Sequence, residues 1–154
     1  MDIQFAHMRL SADDAYPPLP SERAYAVVII AHEETSAFWR RGLAERMATG
    51  ACVQANIWGE DSEDWENDIN AANALAIMTE ERAEYFPDIV VSCQSMRPID
   101  DVFDFATAHM GTTEAEELSL LIVLEIGTPA YQHNLQAMAY RSAAEFGAMA
   151  RLAC

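Results

Sequence analysis

Residues 24–31 read AYAVVIIA, an unbroken apolar run rich in β-branched side chains. A run of this kind is expected of a strand covered on both faces. The residues after it decide the fold class. Thr35 or Ser36 is placed to cap a helix over 37–49, and Gly50 to end it. Within that helix Phe38, Leu43 and Met47 are expected to face inward, with Arg40, Arg41, Glu45 and Arg46 in water. Residues 52–58, CVQANIW, read as a second strand stopped by Gly59. Ser62 opens a helix reaching about Thr79, with Trp65, Ile69, Ala72 and Ala76 on one side.

Two more units come next. Residues 88–93 (DIVVSC) form a short strand, and Pro98 suits the first turn of the next helix. Ile99, Val102, Phe103, Ala106 and Met110 are its apolar stripe, and Gly111 closes it. Residues 119–126 (SLLIVLEI) are the fourth strand, ended by Gly127, and 129–152 are expected to be one helix. Residues 1–23 show no steady period and carry three prolines in four positions, 17–20. They are read as an extended arm ahead of a single domain over 24–154. Strands alternating with helices imply a parallel sheet with right-handed crossovers. The expected architecture is a small three-layer α/β domain, Rossmann-like or flavodoxin-like, with a mainly parallel sheet of about four strands.

Composition narrows the chemistry. The chain has 154 residues, nine basic against 25 acidic, and a formal net charge of -16. All nine basic residues are arginine, so no reaction that needs a lysine is available. The acidic balance disfavours direct nucleic-acid binding. No apolar run is long enough to suggest a membrane span. The first residues do not resemble a signal peptide. Three scattered cysteines suggest neither a disulfide framework nor a zinc site, and a cytoplasmic location is expected.

Open parallel sheets bind ligands at the carboxyl ends of their strands. That edge would collect His32, Glu33 and Glu34, then Trp58, Gly59, Glu60 and Asp61. The glycine-rich loop of a dinucleotide site is absent, and two carboxylates stand where pyrophosphate would lie. No nucleophile elbow is present, and no Asp-x-Asp follows the third strand to complete a Toprim-like metal site. Candidate catalytic residues are His32, Glu34 and Asp61. Candidate ligand-binding residues are Trp58, Gly59, Glu60, Asp61, Trp65 and Asn73, with Asn73 also suited to tying down a neighbouring loop carbonyl through hydrogen bonds. Six carboxylates lie between positions 60 and 68. They either hold a hard cation such as magnesium or stay solvated while stabilising a helix start.

The stretch from Trp58 to Asn73 resembles an uncharacterised bacterial domain-of-unknown-function family with the pattern W-G-x-D-C-S-x-W-D-x-x-x-D-x-A-N. Trp58, Gly59, Asp61, Trp65, Ala72 and Asn73 match as they stand. The family's cysteine falls at Ser62 and its later aspartate at Asn70, so thiol chemistry does not carry over. Residues 98–105 and the strand at 120–124 are similar to its second half. The resemblance implies a small cytosolic α/β domain and no established activity.

The chain's last segment carries two apolar stripes. Tyr131, Leu135, Met138 and Phe146 lie on one and Tyr140 on the other, and a homodimer is expected to bury them. The function expected is a non-enzymatic acidic binding or regulatory module that self-associates and meets a basic protein partner, with no cofactor. The alternative is a metal-assisted hydrolase or nucleotide-processing enzyme using magnesium at Glu34, Glu60 and Asp61, with His32 as base.

Overall fold

The apolar run becomes β2 (Tyr25–Ala31), and all seven of its residues are buried. The computed structural model describes residues 2–94, 96–111, 118–127, 135–145 and 149–152. Around β2 the other elements are β1 (Asp2–Leu10), α1 (Ala37–Thr49), β3 (Cys52–Gly59), α2 (Ser62–Met78) and β4 (Val90–Cys93). They are followed by α3 (Ile99–Met110), β5 (Leu120–Ile126), α4 (Leu135–Glu145) and β6 (Met149–Leu152). Six strands form one sheet in the order β4-β3-β2-β5-β1-β6. Every neighbouring pair runs parallel. A helix cap where Ser36 accepts from Trp39 N starts α1, as its hydroxyl predicts.

Three layers result. Alternate residues of β2 and β5 point to opposite faces, as the pleat requires. Val27, Ile29, Ile122 and Leu124 join Leu43 and Met47 of α1 and Trp65 and Ile69 of α2. Val28, Ile30, Leu121 and Val123 join Val102, Phe103 and Ala106 of α3 and Leu135 and Ala139 of α4. Helices therefore cover both faces, which explains why β2 and β5 lack polar alternation.

Four sequence expectations need correction. Residues 2–10 belong to no arm: they form β1, inserted between β5 and β6 with Gln4 opposite Leu120 and Leu10 opposite Ile126. Ile3 and Phe5 are buried there, while Asp2, Gln4, His7 and Arg9 interrupt the apolar signal. Second, the sheet has six strands rather than about four. Third, the segment read as one helix over 129–152 contains α4 and then β6, which pairs with β1 from Asp2–Met149 to Phe5–Leu152. Fourth, in α1 the inward aromatic is Trp39, 4% exposed, whereas Phe38 is 87% exposed and Arg40 is buried.

The proline-containing stretch does cross the surface, but only from about residue 11. Partly buried Ala12, Tyr16 and Leu19 pack on the α1–α2 side of the sheet. Tyr16 stacks on Trp39 with ring centroids 5.7 Å apart, and its hydroxyl donates to the Trp39 carbonyl at 3.2 Å. Trp39 Nε1 in turn donates to the Asp14 carbonyl at 2.6 Å. These contacts select Trp39 over its neighbour Phe38.

Sheet order also locates the edge where a ligand would be expected. The chain leaving β2 enters α1 on one face, whereas α4, which follows β5, lies on the other face. Because β2 and β5 are neighbours, their carboxyl ends form the topological switch point where ligands of open α/β sheets bind.

Candidate functional site

Glu125 is the one charged residue within β5, and it is 2% exposed. A carboxylate so placed must be given partners by the protein, because water cannot supply them. Strand register supplies three. Glu125 stands between Ile30 of β2 and Arg9 of β1. His7, Arg9 and Glu125 continue the alternation of Phe5 and Val123, so their side chains lie on the α3–α4 face. His32 extends β2 by two positions beyond Ile30 and reaches the same place.

The resulting contacts are close. Nε2 of His32 lies 2.9 Å from Glu125 Oε2, and Nε2 of His7 lies 3.1 Å from Oε1. Arg9 Nε donates to Oε1 at 2.8 Å. Since an ionised carboxylate only accepts, both imidazoles present N–H at Nε2, which leaves Nδ1 as the remaining ring nitrogen. Burial alone would raise the Glu125 carboxyl. The His32 hydrogen bond, the Arg9 charge and the His7 and Arg9 hydrogen bonds outweigh it and hold the group below the usual glutamate value. The network opens outward: side-chain exposure rises from 3% at Glu125 and 8% at His32 to 26% at His7 and 68% at Arg9.

The surrounding edge is held by backbone bonds. His32 N donates to Ile126 O, Glu60 N to Ala31 O, and Gly127 N to Leu10 O. Gly59 has φ +110°, and a Cβ there would run into the Ala31 carbonyl. Trp58 meets the His32 ring edge-on at 6.5 Å and donates from Nε1 to the Arg97 carbonyl at 2.8 Å. His32 and Trp58 are thus brought together as the sequence placed them, beside residues it did not single out.

The other candidates fall elsewhere. Glu34 and Glu60 are exposed. Asp61, in the left-handed region at φ 56°, accepts from Thr35 N at 3.3 Å and lies 3.7 Å from Arg40 Nη1. Asp68 takes the Arg40 Nε bond at 2.6 Å. These two aspartates join α1 to α2. Trp65 is fully buried and meets Trp39 edge-on at 6.2 Å. Asn73 does hold the segment before β4, but its Oδ1 accepts from Ile89 N at 3.3 Å, where the sequence predicts a bond to a loop carbonyl. Leu135 is 3% exposed inside this chain's own core, and Met138 packs partly against it. Tyr140 lies 6.3 Å from Phe5, ring to ring. Tyr131 and Phe146 lie outside the described residues.

The donor sets bear on metal binding. In the network the two imidazoles approach different oxygens of Glu125, so they spread across the carboxylate rather than converge on a point. Among the described residues no group of three or more His, Cys, Asp or Glu side chains is arranged to hold a metal ion. Burial pushes the Cys52 thiol up to about 12, which makes it a poor nucleophile.

Sequence reasoning missed Glu125, His7 and Arg9. The available signal was a single charge inside a buried strand, a residue that has to be paired. It also missed Arg82, 6% exposed, which donates to the carbonyls of Ala48, Cys52 and Pro87. That side chain fastens the end of α1 and the start of β3 to the loop before β4.

A family described as a domain of unknown function, DUF7684, matches residues 5–142, a span that includes all four members of the network. No curated protein and no solved structure matches the chain.

Proposed function

The chain belongs to the DUF7684 family, and from that premise we propose that it is a binding module whose ligand sits at the switch-point edge. One observation carries this reading: a nearly buried carboxylate gathers two imidazoles and a guanidinium at the edge where α/β sheets take ligands. Arg9 offers a largely exposed guanidinium suited to a carboxylate. His7 and His32 keep Nδ1 for a hydroxyl or amino hydrogen. Glu33 and Glu34 nearby disfavour polyanions such as pyrophosphate. The ligand class is therefore a small carboxylic acid with a neighbouring hydroxyl or amino group.

Thermal stability measured against lactate, glutamate and succinate tests the reading. Lactate or glutamate should stabilise the protein saturably, by about 2.7 kcal/mol at a hundredfold excess over Kd, and succinate less. Arg9→Gln, at an exposed position, should abolish the effect. Equal shifts in the protein and this variant, or no shift with any of the acids, would overturn it.

A second reading has its own observation. The His32–Glu125 pair is a carboxylate–imidazole dyad of the kind that orients a general base. A metal-assisted hydrolase or nucleotide-processing enzyme would use it. Magnesium, manganese and zinc titrations of the protein, Asp61→Asn and Glu125→Gln would then show metal-dependent stabilisation that the variants lose.

Location and assembly belong to the same proposal. Cys52 is a buried thiol, which suits a reducing cytoplasm. A homodimer would cover Met138 and Tyr140, which are partly exposed on two different sides of α4. Light scattering at high protein concentration tests it, and a monodisperse monomer ends it.

A further inference from the structure

The opposite face of the molecule carries a feature that the switch-point edge does not use. Helices α1 and α2 pack side by side, and their outer surfaces border a groove of about 250 Å³. Its floor is made by Ala71, Ala72, Leu75 and Ala76. In α2 the stripe of Trp65, Ile69 and Ala76 faces the core, so Leu75 lies outside it and is 55% exposed. Met78, one turn on, is 74% exposed. Glu45, Asp68 and Glu81 stand along the groove.

Size and charge together define an occupant. The volume is below the roughly 300 Å³ at which small-molecule sites begin, but three alanines leave space for a large side chain. From Arg41 to Thr49 the α1 wall runs about 12 Å, the length of two helical turns. The charged lining is Glu45, Asp68 and Glu81 against Arg41, and Asp68 is taken by Arg40 and Arg41, so Glu45 and Glu81 carry the groove's negative charge. A second copy of this chain would bring the same -16 charge against it.

We propose that this groove seats a basic amphipathic helix of another protein. One bulky apolar side chain rests on the alanines beside Leu75, and lysines or arginines face Glu45 and Glu81. This is the helix-in-groove mode of recognition, with charge setting partner choice and encounter rate. It stands on the α1–α2 face and does not depend on the switch-point edge.

Fluorescence anisotropy with three labelled peptides of about four helical turns tests it at roughly 0.15 M salt. One is an amphipathic Leu/Phe–Lys/Arg helix, one a scrambled peptide of identical composition, and one an acidic counterpart. The amphipathic peptide should bind with Kd on the order of a micromolar, and the scrambled and acidic ones at least tenfold more weakly. Leu75→Glu should weaken binding about tenfold or more, while Leu75→Met keeps it; the exposed position leaves the fold intact, which circular dichroism checks. Equal binding of the scrambled peptide would show only the negative field and overturn the proposal. So would unchanged affinity in Leu75→Glu or the absence of binding.

Discussion

Residues 60–68 and the strand β5 treat carboxylates in opposite ways. The first stretch holds six of them, at the surface end of a loop and the first turns of α2. Glu60, Glu63 and Asp64 are exposed there, and water is their partner. β5 holds one, and the protein supplies its partners from β1 and from the residue that follows β2. Surface charge is cheap and individually worth little. A buried charge is costly unless fully paired, so its presence organises whatever surrounds it. The density of acids along a sequence therefore says less about a site than the burial of one.

That contrast can be broken by measurement. Arg82, a buried cation, should show the largest effect: Arg82→Met removes the side chain that donates to three carbonyls and should cost about 4 kcal/mol in urea denaturation. A loss below about 1 kcal/mol would show that buried charge does not organise this fold. Next comes Glu125→Gln, expected to cost about 2 kcal/mol at pH 7. Its pH dependence has a definite sign. The folded-state value of Glu125 is depressed, so its stabilisation is present above the unfolded value of about 4.3 and is lost as pH falls through the folded value. The gap between the protein and Glu125→Gln should narrow below about pH 4; a constant gap would remove the electrostatic account.

Smaller effects lie inside the crowded stretch. Arg40→Met takes from Asp68 the closer of its two arginines and from Asp61 its ion pair, and should cost about 1–2 kcal/mol, since these contacts are largely shielded from solvent. Glu63→Gln and Asp64→Asn should each stay within about 0.5 kcal/mol of the parent. If either cost as much as Glu125→Gln, the division between crowd and lone charge would fail.

The same physics explains what could be read from the sequence. β2, α1, β3, α2 and α3 were legible because long apolar runs or a helical period reflect burial directly. β1 was not, because His7 and Arg9 occupy positions that a core strand would fill with apolar residues. Phe38 and Trp39 are adjacent aromatics, and the choice between them rests on Asp14 and Tyr16, more than twenty residues away in sequence. His32 was found through the strand-end rule. Its partner was not, since His32 and Glu125 are 93 positions apart and meet only because β2 and β5 are neighbours in the sheet. The acids at 60–68 drew attention because number is visible in a sequence and exposure is not.

The position of β1 also bears on synthesis. It leaves the ribosome before the other five strands, yet its neighbours in the sheet are β5 and β6, the last two of the six. Strands β2, β3 and β4 are sequential neighbours and can assemble with their helices as they emerge. β1 must wait with unpaired edges for residues more than a hundred positions later, a slow closure of high contact order and a period of exposure to misassembly. His7 and Arg9 ride on that waiting strand. A nascent chain stopped before β5 has no Glu125 for either to meet, so the network comes into being only when strands translated far apart in time have been joined.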